Sequence, residues 1–267
     1  MELKPTLEFQ DQLDLLKSRK LLIPDETKAL SYLKFNSYYH LNIYFKHFQQ
    51  RTGFVDSTGR ELFEFKEGCE FDHIVKIHED DKALRGLYLE ALQPVELLFR
   101  TTLSYYIGIK KGSGCFYLKD PKLYYDLNRI ERLRERFEDI LRSSGSNPIV
   151  QHHAIKYSGR YPLFVIFELT SFNFLVEFFE CLTFGFQNSF ATRFFLLKNA
   201  IDLKLWFRCI NDLRNVCAHQ NYLFTRLFNA DPVFQDNSLL YSFNKKTLFA
   251  YTIVMGYFSK QKEWLDF

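Results

Sequence analysis

The stretch IDLKLWFRCINDLRNVCAH, residues 201–219, decides the fold class because its apolar residues recur with a helical period. With about 100° of rotation per residue, one side of such a helix is an apolar stripe that consists of Leu205, Trp206, Cys209, Ile210, Leu213, Val216 and Cys217. The opposite side carries Arg208, Asn211, Asn215 and His219. The pattern predicts a helix that packs in the core on one side and is exposed to solvent on the other.

The rest of the chain has the composition of a helical protein. It has 267 residues, of which 47% are hydrophobic, with only 11 Gly and 7 Pro. Scarce glycine and proline favour long helices over a turn-rich β architecture. We predict one all-α domain over residues 1–267, with residues 1–66 as a candidate N-terminal lobe.

Periodicity places further helices on both sides of the opening stretch. Asp25 is a candidate N-cap for the second of them, and Pro94 is expected to kink the third or to mark a boundary in it. Loops are predicted at 51–72, 110–115 and 143–162. The predicted helices lie at 5–22, 26–48, 71–109, 128–145, 162–186 and 245–267.

Charge and cysteine content exclude several classes of protein. A net charge of +3 is too small to indicate a nucleic-acid binder by itself, so any phosphate-binding surface must be local. The five cysteines form no Cys-x-x-Cys pair, which argues against a disulfide framework or a zinc site and for the reducing cytoplasm. No secretory leader is expected at residues 1–20. We predict no metal site and no cofactor.

Residues 162–186 are long enough for a membrane span but carry Glu168, Glu177, Glu180 and Asn173. A charge inside hydrocarbon costs roughly 2.5–3.5 kcal/mol on insertion scales. We therefore predict a buried core helix here and no membrane partner.

Arg214 and His219 are the residues that indicate chemistry. They are five positions apart, which separates them by roughly 140° around the helix axis, so they flank a polar side centred on Asn211 and Asn215. A phosphodiester across that side could contact both: arginine fits phosphate oxygens, and histidine exchanges protons near neutral pH. RNA supplies its own nucleophile, the 2′-OH. On the residues alone, capping of carbonyls and pairing with acids remains the structural alternative.

The string LRNVCAHQNYLFTR, residues 213–226, extends this pattern. Arg-Asn-x-x-x-His resembles the motif of the HEPN superfamily of ribonucleases, and the fuller string resembles the Abi-like (AbiD/AbiF-type abortive infection) family of bacteria within it. Four other blocks resemble the same family in order: 4–23, 33–48, 71–108 and 161–172. Departures such as Tyr38-Tyr39-His40, in place of a usual Tyr-Tyr-Arg, lie outside the motif.

The resemblance implies an HEPN-like helical bundle with additional N-terminal helices. It also implies that Arg214 binds the scissile phosphate, that His219 is a general base or acid, and that Asn215 orients His219 or contacts the phosphate. Family members are thought to form homodimers in which two motifs face one cleft. Glu96 and Arg100, four residues apart, are expected to be a structural pair that supports the motif helix, with direct catalysis as the alternative.

Further RNA contacts are predicted around the motif. Arg208 and Asn211 lie on the polar side of the helix, and Arg226 follows His219 by seven residues and could reach a phosphate if the helix continues. His153, in a predicted loop, could line the RNA cleft, although a solvent-exposed loop histidine is the plainer interpretation.

These observations favour a metal-independent endoribonuclease of phage defence that yields a 2′,3′-cyclic phosphate and a 5′-OH. Two alternatives remain open. One is a non-catalytic RNA-binding module that holds a small noncoding RNA or a toxin–antitoxin partner. The other is a helical interaction protein that senses a phage component.

Overall fold

The computed structural model describes residues 5–56, 59–197, 199–234 and 243–260, and in these the chain is mostly helical. The predicted fold class is confirmed, apart from one small β-hairpin. The elements are α1 (Phe9–Ser18), α2 (Glu26–Phe35), α3 (Tyr38–His47), β1 (Gln49–Val55), β2 (Glu61–Phe65), α4 (Phe71–Lys111), a short 3₁₀ turn (Cys115–Tyr117), α5 (Leu127–Ser143), α6 (Pro148–Lys156), α7 (Leu163–Leu169), α8 (Phe172–Cys181), α9 (Phe184–Phe195), α10 (Ala200–Ala218) and α11 (Leu248–Lys260).

The chain divides into two compact units. The first consists of Met1–Gly86 and Gln220–Phe224, and the second of Leu87–His219 and Thr225–Phe267. The first unit extends beyond the lobe of residues 1–66 that the sequence suggests, because the beginning of α4 contributes Phe71 and Ile74 to its core. The number of domains stays a prediction.

In the first unit, α1, α2, α3 and the start of α4 share one apolar core. Its fully buried members include Leu16 of α1, Leu33 of α2 and Phe45 of α3. The ring of Phe45 contacts Phe65 of β2 edge to face, with centroids 5.9 Å apart. Edge-to-face contacts of this kind add to the apolar area that the rings bury.

A buried carboxylate organises the polar part of the same unit. Asp81 accepts hydrogen bonds of 2.6 Å from both Arg85 and the hydroxyl of Tyr44. It also accepts from the backbone N–H groups of Leu223 and Phe224, at 3.0 and 2.8 Å. Because Asp81 is only 5% exposed, these donors replace the water that a carboxylate needs. This network holds segment 220–224, which directly follows His219 in the chain.

The loop prediction for 51–72 is wrong. β1 and β2 pair antiparallel, with Gln49 opposite Phe65, and α4 already starts at Phe71. Phe65 is the one buried residue of β1 and β2. Apolar and polar residues therefore do not alternate clearly along the strands, and the sequence pattern does not predict the hairpin.

Two predicted helices are interrupted. Asp25 does cap a helix, since it accepts from the backbone N–H of Lys28 at 2.9 Å, but α2 ends at Phe35 and α3 begins at Tyr38. The single helix at 162–186 is wrong: α7, α8 and the start of α9 occupy this segment. Apolar residues surround both breaks, and the few polar residues of the run also fit one continuous helix, so periodicity alone does not locate the breaks.

The long helix α4 continues through Pro94, where the sequence suggests a kink or a boundary. Proline removes one backbone donor and normally disrupts the interior of a helix. Here the adjoining residues Leu92, Val95 and Phe99 are buried in the second unit. Tertiary packing therefore keeps both sides of the proline helical.

In the second unit, α10 packs against α8, α9 and α11. Phe207 of α10 stacks on Phe99 of α4 with ring centroids 3.8 Å apart. Trp206 stacks on Tyr257 at 4.6 Å, and its indole N–H donates to the carbonyl of Val233 at 2.8 Å. The buried residues of α10 extend from Ala200 to Cys217, so the helix is packed along its whole length.

Residues 162–186 contribute largely to this buried interior, as the sequence predicts for the segment. In the described part of the chain, no helix is long enough and apolar enough to cross a membrane.

Candidate active site at the end of helix α10

His219 stands exposed at the C-terminal end of α10. It is the C-cap residue, and its backbone N–H donates to the carbonyl of Asn215 at 3.0 Å. The next residue, Gln220, adopts a left-handed conformation with a φ of 56°. A left-handed residue directly after the C-cap ends the helix. The imidazole ring is therefore presented at a fixed helix end with its side chain in solvent.

Arg214 lies on the last turns of α10 and is held by Glu96 of α4. The Nε atom of Arg214 donates to a carboxylate oxygen of Glu96 at 3.2 Å. The side chains are 32% and 19% exposed, so this ion pair is neither a surface pair nor a buried one. The contact uses Nε, while Nη2 of Arg214 has no hydrogen-bond partner among the residues that the structure describes. The outer edge of the guanidinium can thus accept a further ligand.

Asn215 supports the arginine. Its side-chain oxygen accepts from Nη1 of Arg214 at a long distance of 3.4 Å, and its carbonyl accepts from the backbone of His219. The resemblance implied that Asn215 orients the His219 ring or contacts the phosphate. In the structure, its side-chain amide is bonded to Arg214, and its Nδ2 donor makes no hydrogen bond within the described ranges.

Arg208, two turns earlier on α10, is anchored by a buried acid. Glu180 of α8 accepts from Nε of Arg208 at 2.7 Å and from Arg129 of α5 at 2.6 Å. Burial opposes ionisation of Glu180, but hydrogen bonds from the two arginines outweigh it and lower its pKa below the ordinary value. The three residues and Lys204 line a pocket of about 320 Å³. With three cations against one carboxylate, this pocket attracts anions.

The model of the Abi-like protein family matches residues 31–225 of the chain. The chain belongs to the Abi-like family. Membership implies a role in abortive infection, a form of defence against phage. The matched range includes Glu96, Arg214, Asn215 and His219, so the described site lies inside the region that the family shares. Neither the curated proteins nor the solved structures give a significant match.

Asn211 does not lie on the wet side of α10 in this Abi-like protein. It is 9% exposed, and its amide donates to Asn173 of α8 at 2.9 Å. Its side-chain oxygen is buried and has no hydrogen-bond partner in the described part of the molecule. The prediction that Asn211 lies on the solvent-exposed side of α10 is wrong, because α8 packs against this part of the helix and covers it.

Arg226 is not on a continuation of α10, since the helix ends at Ala218. Its guanidinium lies over the ring of Phe228, with 5.9 Å from Cζ to the centroid. Burial raises the pKa of Asp212. A hydrogen bond from the backbone N–H of Ala230 and the charge of Arg226 both oppose this shift. Arg226 is thus a half-buried residue of the loop that follows the motif.

His153 lies on helix α6 rather than in a loop, and it is 9% exposed. Its ring stacks on Tyr161 with centroids 5.3 Å apart. The loop prediction for 143–162 is wrong because Asn147 and Pro148 start a short helix there, with the Asn147 side chain accepting from Ile149.

Glu96 and Arg100 do not pair with each other. Glu96 bonds Arg214, whereas Arg100 contacts Glu168 and the carbonyl of Thr170, all at 3.4 Å. Glu96 therefore supports the motif directly, and Arg100 braces the junction between α7 and α8.

Glu180 and Asn173 lie near the site but were not predicted there from the sequence. Both appeared only as polar interruptions in an apolar run, and that was the available signal: a polar group placed in a core must find a partner. Among the described residues, no group of three or more histidine, cysteine or carboxylate side chains is arranged to hold a metal ion. All five cysteines are buried, and none of them forms a disulfide among the described residues.

Proposed function

We propose that this Abi-like protein is a metal-independent endoribonuclease of the HEPN type that acts in phage defence. The observation that carries the proposal is that the last turns of α10 hold both an exposed imidazole and an anchored arginine whose outer edge is open. Such a pair supplies the two requirements of RNA cleavage, which are binding of a phosphate and transfer of a proton.

Arg214 binds the scissile phosphate in this proposal. A guanidinium presents planar N–H donors that fit phosphate oxygens, and charge-assisted bonds of this kind are stronger than neutral ones. Glu96 accepts a hydrogen bond from Nε of Arg214 and leaves the outer edge of the guanidinium open for the phosphate. The same contact limits the rotamers of Arg214, which reduces the entropy lost when RNA binds.

His219 transfers the proton. The 2′-OH of the RNA attacks the neighbouring phosphorus, the bond from phosphorus to the 5′-oxygen breaks, and a 2′,3′-cyclic phosphate forms. A neutral imidazole takes the proton of the 2′-OH, or an imidazolium gives one to the leaving 5′-oxygen. The products are the cyclic phosphate and a 5′-OH, so no oxidant or water is consumed.

Two copies of the chain complete the site. Arg214 and His219 are separated by roughly 140° around the helix axis, so one phosphate fits them best when the arginine of one copy faces the histidine of the other. Mixing the inactive Arg214→Ala and His219→Ala variants should then restore part of the cleavage, because one intact composite site forms per mixed dimer. Two variants that remain inactive when mixed would contradict the shared site.

The basic pocket of Arg129, Lys204 and Arg208 is a second place at which phosphates of the RNA can bind. Arg208 and Arg214 are about 9 Å apart along the axis at 1.5 Å per residue. Phosphates away from the cleaved bond can bind there without taking part in the reaction, which makes binding sensitive to salt.

The decisive experiment incubates purified full-length protein with end-labelled single-stranded RNA in EDTA. Cleavage should occur, the products should carry a cyclic phosphate, and Arg214→Ala and His219→Ala should each abolish it with unchanged circular dichroism. Exposed residues of the same types serve as controls: Arg142→Ala and His73→Ala should cleave normally. Loss of cleavage in EDTA, or cleavage by His219→Ala, would refute the mechanism. Binding without any product would favour the non-catalytic RNA-binding alternative.

A further inference from the structure

A second cavity of the second unit is not used by the proposed mechanism. It lies between the start of α7, helix α6 and the loop after α4, and its volume is about 760 Å³. Small-molecule sites usually have volumes of about 300–1,000 Å³ and an apolar wall with a few polar groups. We call this space the α6–α7 cavity.

Aromatic rings form much of its wall. Tyr157, Tyr161, Phe164 and the two adjacent histidines line it. Tyr157 and Phe164 remain 47% and 57% exposed, although rings of this size are usually packed. Exposed aromatic faces are the surfaces on which nucleobases stack, and stacking tolerates every base because each has a π face.

Positive charge lies beside these rings. Arg160 lines the cavity and is exposed. Within the described ranges its guanidinium makes no ion pair and no hydrogen bond, and the same holds for the ammonium of Lys156, which lies 5.4 Å from the centroid of the Tyr157 ring. The charge of Glu138 acts on Tyr117 and Tyr161 from outside the lining residues. An anionic group is therefore favoured at the Arg160 end.

His153 provides a directional polar group. Its Nδ1 lies 2.9 Å from the carbonyl oxygen of Ile149. A carbonyl only accepts, so Nδ1 carries the proton and Nε2 of the neutral ring is an acceptor. In the described part of the chain Nε2 has no hydrogen-bond partner. An acceptor in a cavity favours a ligand that presents an amino group, such as the exocyclic amino group of adenine or cytosine.

The three features together define one ligand chemistry. We propose that the α6–α7 cavity binds an amino-bearing nucleotide, with its base against Tyr157 and Phe164 and its phosphate on Arg160. The nucleotide comes either from a free mononucleotide that regulates the protein or from one residue of a bound RNA strand. The second source rests on the proposed RNA-cleaving function, whereas the first is independent of it.

Binding is measured by calorimetry with the full-length His219→Ala variant, in which RNA stays intact. The probes are AMP, CMP, UMP, ribose 5-phosphate and a short single-stranded RNA. AMP and CMP should bind, UMP should bind more weakly than CMP because the acceptor O4 replaces the amino group at the same ring position, and ribose 5-phosphate should be weakest. Phe164→Ala and Arg160→Ala should each weaken binding about tenfold or more, since one base stack or one phosphate contact is lost.

Matched substitutions separate the cavity from general effects. Tyr105→Ala on α4 and Arg142→Ala on α5 remove an exposed ring and an exposed cation elsewhere in the same unit and should leave binding unchanged. If mononucleotides do not bind but Phe164→Ala and Arg160→Ala weaken RNA binding relative to these controls, the ligand is a residue of the RNA. If neither mononucleotide nor RNA binding depends on the two residues, the proposal is overturned. If the protein binds nucleotides but never cleaves RNA, the proposed nuclease function is refuted, whereas the nucleotide site in the α6–α7 cavity is supported.

Discussion

The hydrogen bond between Glu96 and Arg214 leads to a prediction that separates positioning of the arginine from proton transfer. Replacing Glu96 by alanine removes the oxygen that accepts from Nε of Arg214 at 3.2 Å. Replacing it by glutamine keeps an oxygen at the same place and removes only the negative charge. If Glu96 holds the arginine in position, glutamine should be tolerated and alanine should not.

The size of the effect follows from the geometry and the exposure of the pair. A hydrogen bond to a charged group contributes about 1.5–3 kcal/mol, whereas a fully exposed ion pair contributes about 0–1 kcal/mol. With side chains 32% and 19% exposed, the Arg214–Glu96 pair lies between these cases, at about 1–2 kcal/mol. Since 1.4 kcal/mol corresponds to a tenfold change in rate, Glu96→Ala should slow cleavage about 5- to 30-fold. Glu96→Gln should slow it less than about threefold.

The assay is single-turnover cleavage of a fluorogenic RNA between pH 5.5 and 8, with saturating protein. Glu90→Ala is the matched control, because Glu90 is an exposed acid on the same helix. It should cleave at the wild-type rate. Equal losses in Glu96→Gln and Glu96→Ala, with an altered pH profile, would show that the carboxylate itself moves a proton. Wild-type rates in Glu96→Ala would show that the contact does not position Arg214.

Three further predictions concern stability and RNA binding. Asp81→Ala should lower the free energy of unfolding by about 3–5 kcal/mol, because it leaves buried Arg85 unpaired; urea denaturation measures this, and a loss below 1 kcal/mol would contradict it. Burial, together with the charge of His40, lowers the pKa of His78, so the unfolded chain takes up its proton first as the pH falls. The free energy of unfolding should thus be constant above about pH 6.5 and decline below it by up to about 1.4 kcal/mol per pH unit. His78→Gln should flatten this decline. An unchanged dependence on pH would refute the assignment of the decline to His78. Arg208→Ala should weaken RNA binding and reduce the slope of log K against log salt by about 1, and an unchanged slope would place the RNA elsewhere.

Short-range patterns in the sequence were sufficient for several elements. The amphipathic helix α5, the cap at Asp25 and the break after Lys111 follow from interactions within a few residues. The motif at Arg214–His219 was also visible in the sequence, because its residues lie within two helical turns and the string 213–226 resembles the Abi-like family. Its chemistry remains a proposal that the cleavage assay tests.

Other features depend on contacts between distant parts of the chain. Asn211 was assigned to a wet face from rotation angles alone, yet Asn173, 38 residues earlier, covers and bonds it. Pro94 was expected to kink α4 or to mark a boundary in it, yet the helix continues through this residue. The hairpin at Gln49–Phe65 buries too little to show alternation.

The sequence by itself determined that the chain is helical, where most helices lie, and that an arginine, an asparagine and a histidine share the end of α10. Only the tertiary structure decided that Glu96, 118 residues away in sequence, accepts a hydrogen bond from Nε of Arg214. It alone decided that Arg208 is tied to Glu180 and that aromatic rings surround a cavity beside Arg160. The physical reason is range: helix hydrogen bonds and caps join residues about four apart, whereas burial and ion pairing depend on which segments the folded core brings together.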